Sequence, residues 1–124
     1  MKNKNLTLAA ILGMLAVIFG AFGAHALKEK LGVEDLNTYE TGVRYQIIHV
    51  LVLLLVNMYA DFSQKVKNII SLFFFLGILF FSGSLYAITA LQIDPKTIWF
   101  ITPLGGLFFI LGWAKLSISF FKAK

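Results

Sequence analysis

NIISLFFFLGILFFSGSLYAITAL, residues 68–91, decides the fold. It holds no Asp, Glu, Lys or Arg. About 20 mostly apolar residues in helical form cross the ~30 Å hydrocarbon core of a bilayer. Inside that core only helices and closed barrels satisfy their own backbone polar groups. The run is too long and too continuously apolar for a barrel strand, which alternates faces over about 10 residues. The stretch therefore predicts a transmembrane helix.

Working outward, three more blocks of the same kind appear, at about residues 6–27, 33–60 and 98–121. The second begins with Glu34 and Asp35, acids suited to a first helical turn. Its lipid-spanning part is expected at about 41–60, the remainder standing in the headgroup region. Polar punctuation separates the blocks, and the two later connections are short, so consecutive helices should be antiparallel neighbours. Asp94-Pro95 and Thr102-Pro103 each place a capping residue before a proline suited to a first turn. Thr102-Pro103 is the expected start of the main fourth helix, after a short helical turn. Residues 1–124 thus read as a single transmembrane domain, an all-α integral membrane four-helix bundle.

Composition agrees. Of 124 residues, 59% are hydrophobic and 14% charged, with a mean hydropathy of +0.84. Soluble domains are about 45–50% apolar and about 25% charged. A water-soluble enzyme is excluded, and so is nucleic acid as a partner. The bilayer itself is the expected partner, in a bacterial plasma membrane. With no cysteine, disulfides and thiolate metal sites are excluded. Ala24-His25-Ala26 has the small-x-small form of a signal-peptidase site. The apolar run before it extends to about 19 residues, longer than the usual ~7–15 of a signal peptide, so a retained helix is expected.

The formal charge of +5 is unevenly spread. One side of the bundle carries Lys2, Lys4, Lys65, Lys67, Lys115, Lys122 and Lys124 against Asp61. The other carries Lys28, Lys30, Arg44 and Lys96 against Glu29, Glu34, Asp35, Glu40 and Asp94. Short basic loops stay in the cytoplasm, so both termini are expected there.

On helical wheels, Gly13, Gly20 and Gly23 share a narrow stripe with Ala9, Ala16 and Ala24. Gly83 begins a shorter stripe with Ala87 and Ala90, and Gly105 and Gly112 lie a heptad apart. Small residues let membrane helices approach closely, so these stripes are expected to pack the bundle. Self-association through one of them is the alternative.

Ionisable and polar groups at membrane depth are costly and mark candidate sites. Gly42, Tyr45, Gln46, His49, Leu53, Val56 and Ala60 fall on one face of the second helix. Glu40 and Arg44 lie four apart on the opposite face, where an anchoring salt bridge is expected. Ser82, Tyr86 and Thr89 on the third helix are the candidate partners for the His49 ring. His25 reads as an interfacial residue. Two histidines at different depths, without carboxylates nearby, do not make a usual metal set. Neither metal nor cofactor is expected, and no nucleophile elbow or phosphate loop is present.

The motifs Gly20-Ala21-Phe22-Gly23-Ala24-His25-Ala26-Leu27 and Glu40-Thr41-Gly42-Val43-Arg44-Tyr45-Gln46 with His49 resemble those of a family of small bacterial membrane proteins, the YwdK/YgdD-like proteins. Phe80-Phe81-Ser82-Gly83-Ser84-Leu85-Tyr86, Ile101-Thr102-Pro103-Leu104-Gly105-Gly106 and Gly112-Trp113 also match its pattern. A mitochondrial transmembrane protein of animals looks related. The resemblance covers nearly the whole chain. It implies the four-helix topology and the Thr102-Pro103 turn, and brings no activity with it. It also implies that His25, Glu40, Arg44, Tyr45, Gln46, His49, Ser82, Tyr86 and Thr102 form one polar cluster, mostly in the outer half of the bundle.

The functional expectation is a non-enzymatic multipass membrane protein, structural or self-associating, as a homo-oligomer or with a larger membrane partner. A small transporter or channel with a polar path past Gln46 and His49 is the alternative. A haem or quinone site is a remoter one.

Overall fold

A computed structural model describes residues 3–123. Among them are four long helices and no strand. These are α1 (Lys4–Leu27), α2 (Val33–Met58), α3 (Gln64–Thr89) and α4 (Ile101–Lys122), each long and apolar enough to span a bilayer. At ~1.5 Å per residue they run from about 33 to about 39 Å. The backbone of α1 widens into a π-helical turn at Gly23–Leu27, and that of α3 at Ile78–Ser82.

Local chemistry places the ends. The Ser63 hydroxyl accepts the Val66 N–H at 3.2 Å and starts α3 at Gln64, ahead of the expected Asn68. Lys65 and Lys67 thus stand on helix instead of loop. Tyr59 turns extended (φ −76°, ψ 113°) and ends α2 at Met58, short of Ala60. Gln92 closes α3 with φ 55°, and Ile93 N–H reaches back to the Ala87 carbonyl at 3.0 Å. Asp94 caps a single 3₁₀ turn at Pro95–Thr97 through the Lys96 N–H at 3.0 Å. The fourth helix begins at Ile101, with Phe100 as its N-cap. Thr102, the expected cap, lies inside the first turn. Its hydroxyl is engaged by another helix, and Pro103 has no N–H to leave unpaired.

Chain neighbours pack against one another, α1 on α2, α2 on α3 and α3 on α4. Leu53, Ile70 and Phe74 are fully buried at the centre, with Val50, Val56, Phe109 and Leu116 around them. Leu8, Ile11, Met14, Val17 and Ile18 of α1 point outward, as suits a helix face bathed in lipid.

Close approach is concentrated at certain glycines. A Cβ on Gly105 would strike the backbone of Phe80 and Phe81, in the π-helical turn of α3. One on Gly112 would come 2.6 Å from the Phe74 ring, and one on Gly23 2.6 Å from the Tyr39 ring. Gly13 is tight against Val50 at 3.2 Å, and Gly20 is in ordinary contact with Val43 at 3.5 Å. Gly83, expected in a packing stripe, faces open space. Gly42 and Gly77, outside the expected stripes, receive the rings of Tyr86 and Phe109.

Candidate functional site: a polar seam between the helices

Gln46 is 2% exposed, and both polar atoms of its side chain bond to other helices. Its Nε2 donates to the Leu12 carbonyl of α1 at 2.7 Å. Its Oε1 accepts the Tyr86 hydroxyl of α3 at 2.7 Å. One side chain therefore ties three helices. One heptad earlier on α2, the Tyr39 hydroxyl donates to the Phe19 carbonyl at 2.6 Å. Donors a heptad apart on α2 thus meet acceptors a heptad apart on α1, the relation of two antiparallel helices held at two points. From α3, the Ser82 hydroxyl donates to the Gly42 carbonyl at 2.7 Å. Gly42 has no side chain to block that approach.

His49, 3% exposed, has a different partner from those its sequence suggested. Trp113 of α4 donates its Nε1–H to His49 Nε2 at 3.0 Å. An indole nitrogen only donates, so Nε2 must be the bare nitrogen. The proton is on Nδ1, which donates to the Tyr45 carbonyl at 2.7 Å. Both ring nitrogens are occupied and the tautomer follows from the geometry. The imidazole lies flat on Phe109, centroids 3.8 Å apart and planes 10° from parallel, with Phe74 and Trp113 on its other sides. Ser82 and Tyr86 serve Gly42 and Gln46 instead of His49, and Thr89 donates to its own helix at Leu85. The sequence offered a signal for Trp113 in its indole N–H within an apolar span and in the Gly112-Trp113 motif, and neither pointed to His49.

The other expected members are scattered. The Tyr45 ring packs on Phe81 at 4.8 Å and is 39% exposed. Thr102 meets Ser84 of α3 at 2.5 Å, in a separate contact between α3 and α4. Glu40 and Arg44 are both exposed and take no part in the seam. His25 is exposed in the π-helical turn of α1. His49 lies sixteen residues into α2, about 24 Å along its axis. The two histidines are therefore not brought together.

A second polar cluster, absent from the sequence reading, joins the other ends of α1, α2 and α3. Asn5 Nδ2 donates to Asn57 Oδ1 at 3.1 Å and to Asn68 Oδ1 at 2.9 Å. Asn57 Nδ2 donates to the Leu53 carbonyl and to Ser71 Oγ, both at 2.8 Å. Gln64 Nε2 donates to Asn68 Oδ1 at 2.8 Å. Among the described residues no buried side-chain polar atom lacks a partner. Clefts at the surface are lined by Phe19, Phe22 and Tyr39, by Val52, Trp113 and Phe120, by Phe62, Lys115 and Lys122, and by Asn5 and Lys67. Neither Gln46 nor His49 lines any of these.

Four apolar helices, fastened by inward-facing polar groups and coated with exposed Leu, Ile, Val and Phe, define a multipass membrane protein. The chain belongs to the family DUF423, "Protein of unknown function", whose model matches residues 19–106. It is 41% identical over 124 residues to a UPF0382 membrane protein of Haemophilus influenzae, covering 100% of this chain and 98% of that one. It is 39% identical over 117 residues to the UPF0382 membrane protein YwdK of Bacillus subtilis, covering 93% and 94%. With the UPF0382 inner membrane protein YgdD of Escherichia coli it shares 35% identity over 127 residues, covering 96% and 90%. No solved structure matches it.

Proposed function

We propose that this protein is a non-enzymatic structural unit of the bacterial plasma membrane, a rigid four-helix block that associates with itself or with a larger membrane partner. One observation carries the reading. The polar groups on α2 that would line a path are engaged by partners inside the bundle, Gln46 by Leu12 and Tyr86, His49 by Tyr45 and Trp113. A conducting or binding group needs spare hydrogen-bonding capacity and an open route to its ligand. Both ring nitrogens of His49 are taken, and neither His49 nor Gln46 lines any of the clefts described above. Polar contacts between membrane helices act as fasteners instead. The inner-membrane name of the Escherichia coli relative supports the location. The concentration of Lys at the end that carries the termini supports a cytoplasmic placement of both.

The test is permeation. Purified protein reconstituted into vesicles with an entrapped pH dye should dissipate an imposed proton gradient no faster than protein-free vesicles. Faster decay that Gln46→Leu abolishes would replace the structural reading with a transport one.

A further inference from the structure

The amide cluster at the Asn5 end borders a cleft of about 270 Å³. Asn3, Asn5, Leu6, Asn57, Gln64 and Lys67 line it. Asn5 and Gln64 both donate into one acceptor, Asn68 Oδ1, at 2.9 and 2.8 Å. With the Asn57 bond, this uses both N–H groups of Asn5 and one of the two on Gln64. It leaves Asn5 Oδ1 and Gln64 Oε1, on two side chains that line the cleft, without a donor among the described residues. Beside them stands Lys67, half-buried in the same lining. The cleft thus offers one cation, two neutral acceptors and the second amide N–H of Gln64.

Its depth is set by the helix ends. Asn5 opens α1, Asn57 is at the last turn of α2, and Gln64 and Lys67 open α3. With spans of about 36–39 Å in a core of ~30 Å, these ends lie at the level of lipid phosphates. The chemistry that complements the lining is a phosphate ester carrying its own donor, a hydroxyl or an ammonium. Lys67 faces the phosphate, while the Asn and Gln carbonyls receive the donor. Leu6, at the rim, continues onto the lipid-facing side of α1.

We propose that this cleft binds the headgroup of a phospholipid bearing O–H or N–H donors, such as phosphatidylglycerol or phosphatidylethanolamine. Phosphatidylcholine carries the same phosphate but no donor on its quaternary ammonium, which separates recognition from general lipid solvation.

The experiment is thermal unfolding of the purified full chain in a neutral detergent, titrated separately with short-chain phosphatidylglycerol, phosphatidylethanolamine and phosphatidylcholine. Inorganic phosphate and glycerol 3-phosphate form the soluble arms. The first two lipids should raise the unfolding temperature saturably, and phosphatidylcholine should not. Lys67→Gln should weaken the response about tenfold, the size of one charge-assisted hydrogen bond. Gln64→Ala, at an exposed first-turn position, should weaken it less and serves if Lys67→Gln fails to fold. Equal shifts from all three lipids, or an unchanged titration in both variants, would overturn the proposal. An equal shift from either soluble phosphate would assign the cleft to a free phosphate ester and remove the lipid.

Discussion

Trp113 can only donate, so removing its indole N–H strands His49 Nε2 as a buried acceptor. Trp113→Phe keeps a ring against Phe74 and His49 while deleting that donor. It should destabilise the protein by about 1–2 kcal/mol, the range for a hydrogen bond between membrane helices plus an unmade partner. Unfolding in mixed micelles measures this, and a loss indistinguishable from zero would mean that the contact is incidental. In the intact protein, ¹⁵N spectra of His49 should show Nδ1 protonated and Nε2 bare, and the opposite tautomer would contradict the geometry. At this scale the sequence was half legible. The period of α2 marks Gln46 and His49 as inward-facing. It says nothing of what they meet, because the Leu12, Phe19, Gly42 and Tyr45 acceptors are backbone carbonyls, which every residue carries. Asn5, Asn57 and Asn68 escaped notice for a related reason. Near helix ends, lone amides look like solvated loop residues, and only the antiparallel stacking of three ends converts them into a cluster.

Among the elements, α3 departs most from a regular helix. Within its π-helical turn at Ile78–Ser82 the Phe80–Phe81 backbone lies against Gly105, while Gly83 just after it meets no neighbour. Two alanine substitutions should therefore behave oppositely. Gly105→Ala pushes a methyl group into backbone that cannot swing aside, and should cost about 1–3 kcal/mol. Gly83→Ala meets nothing within 4 Å and should be neutral, or stabilising by up to about 1 kcal/mol through helix propensity. The same unfolding titration ranks the two, and an equal penalty at both positions would deny the packing described. Helix-wheel stripes assume one uninterrupted period. They located Gly105 and Gly112, and missed Gly42 and Gly77, whose role is to receive a ring. The Ser63 cap was likewise legible in principle, as a serine three residues before Val66, but the surrounding lysines read as loop.

For the whole molecule, existence and order of the spans were plain in composition, since a charge-free run as long as residues 68–91 has few other folds open to it. The proposed orientation rests on a separate physical signal, the lysines flanking the spans. A reporter enzyme fused after Lys124 should be active only in its cytoplasmic form. A periplasmic readout would invert the bundle and move the Asn5–Lys67 cleft to the opposite leaflet. The neighbour order, with α2 and α3 central, was legible in the short connections, whereas the particular side chains that meet across the helices were not.

The fastening of α1 is asymmetric, and that has an evolutionary consequence. Tyr39 and Gln46 hold α1 by the carbonyls of Phe19 and Leu12, so substituting Leu12 or Phe19 leaves the bonds in place, whereas substituting the donors deletes them. Under random mutagenesis α2 should carry most of the polar constraint at this interface. Leu12 and Phe19 can exchange for other apolar side chains without losing these bonds, while the close contacts at Gly13 and Gly23 still constrain α1 where the two helices touch.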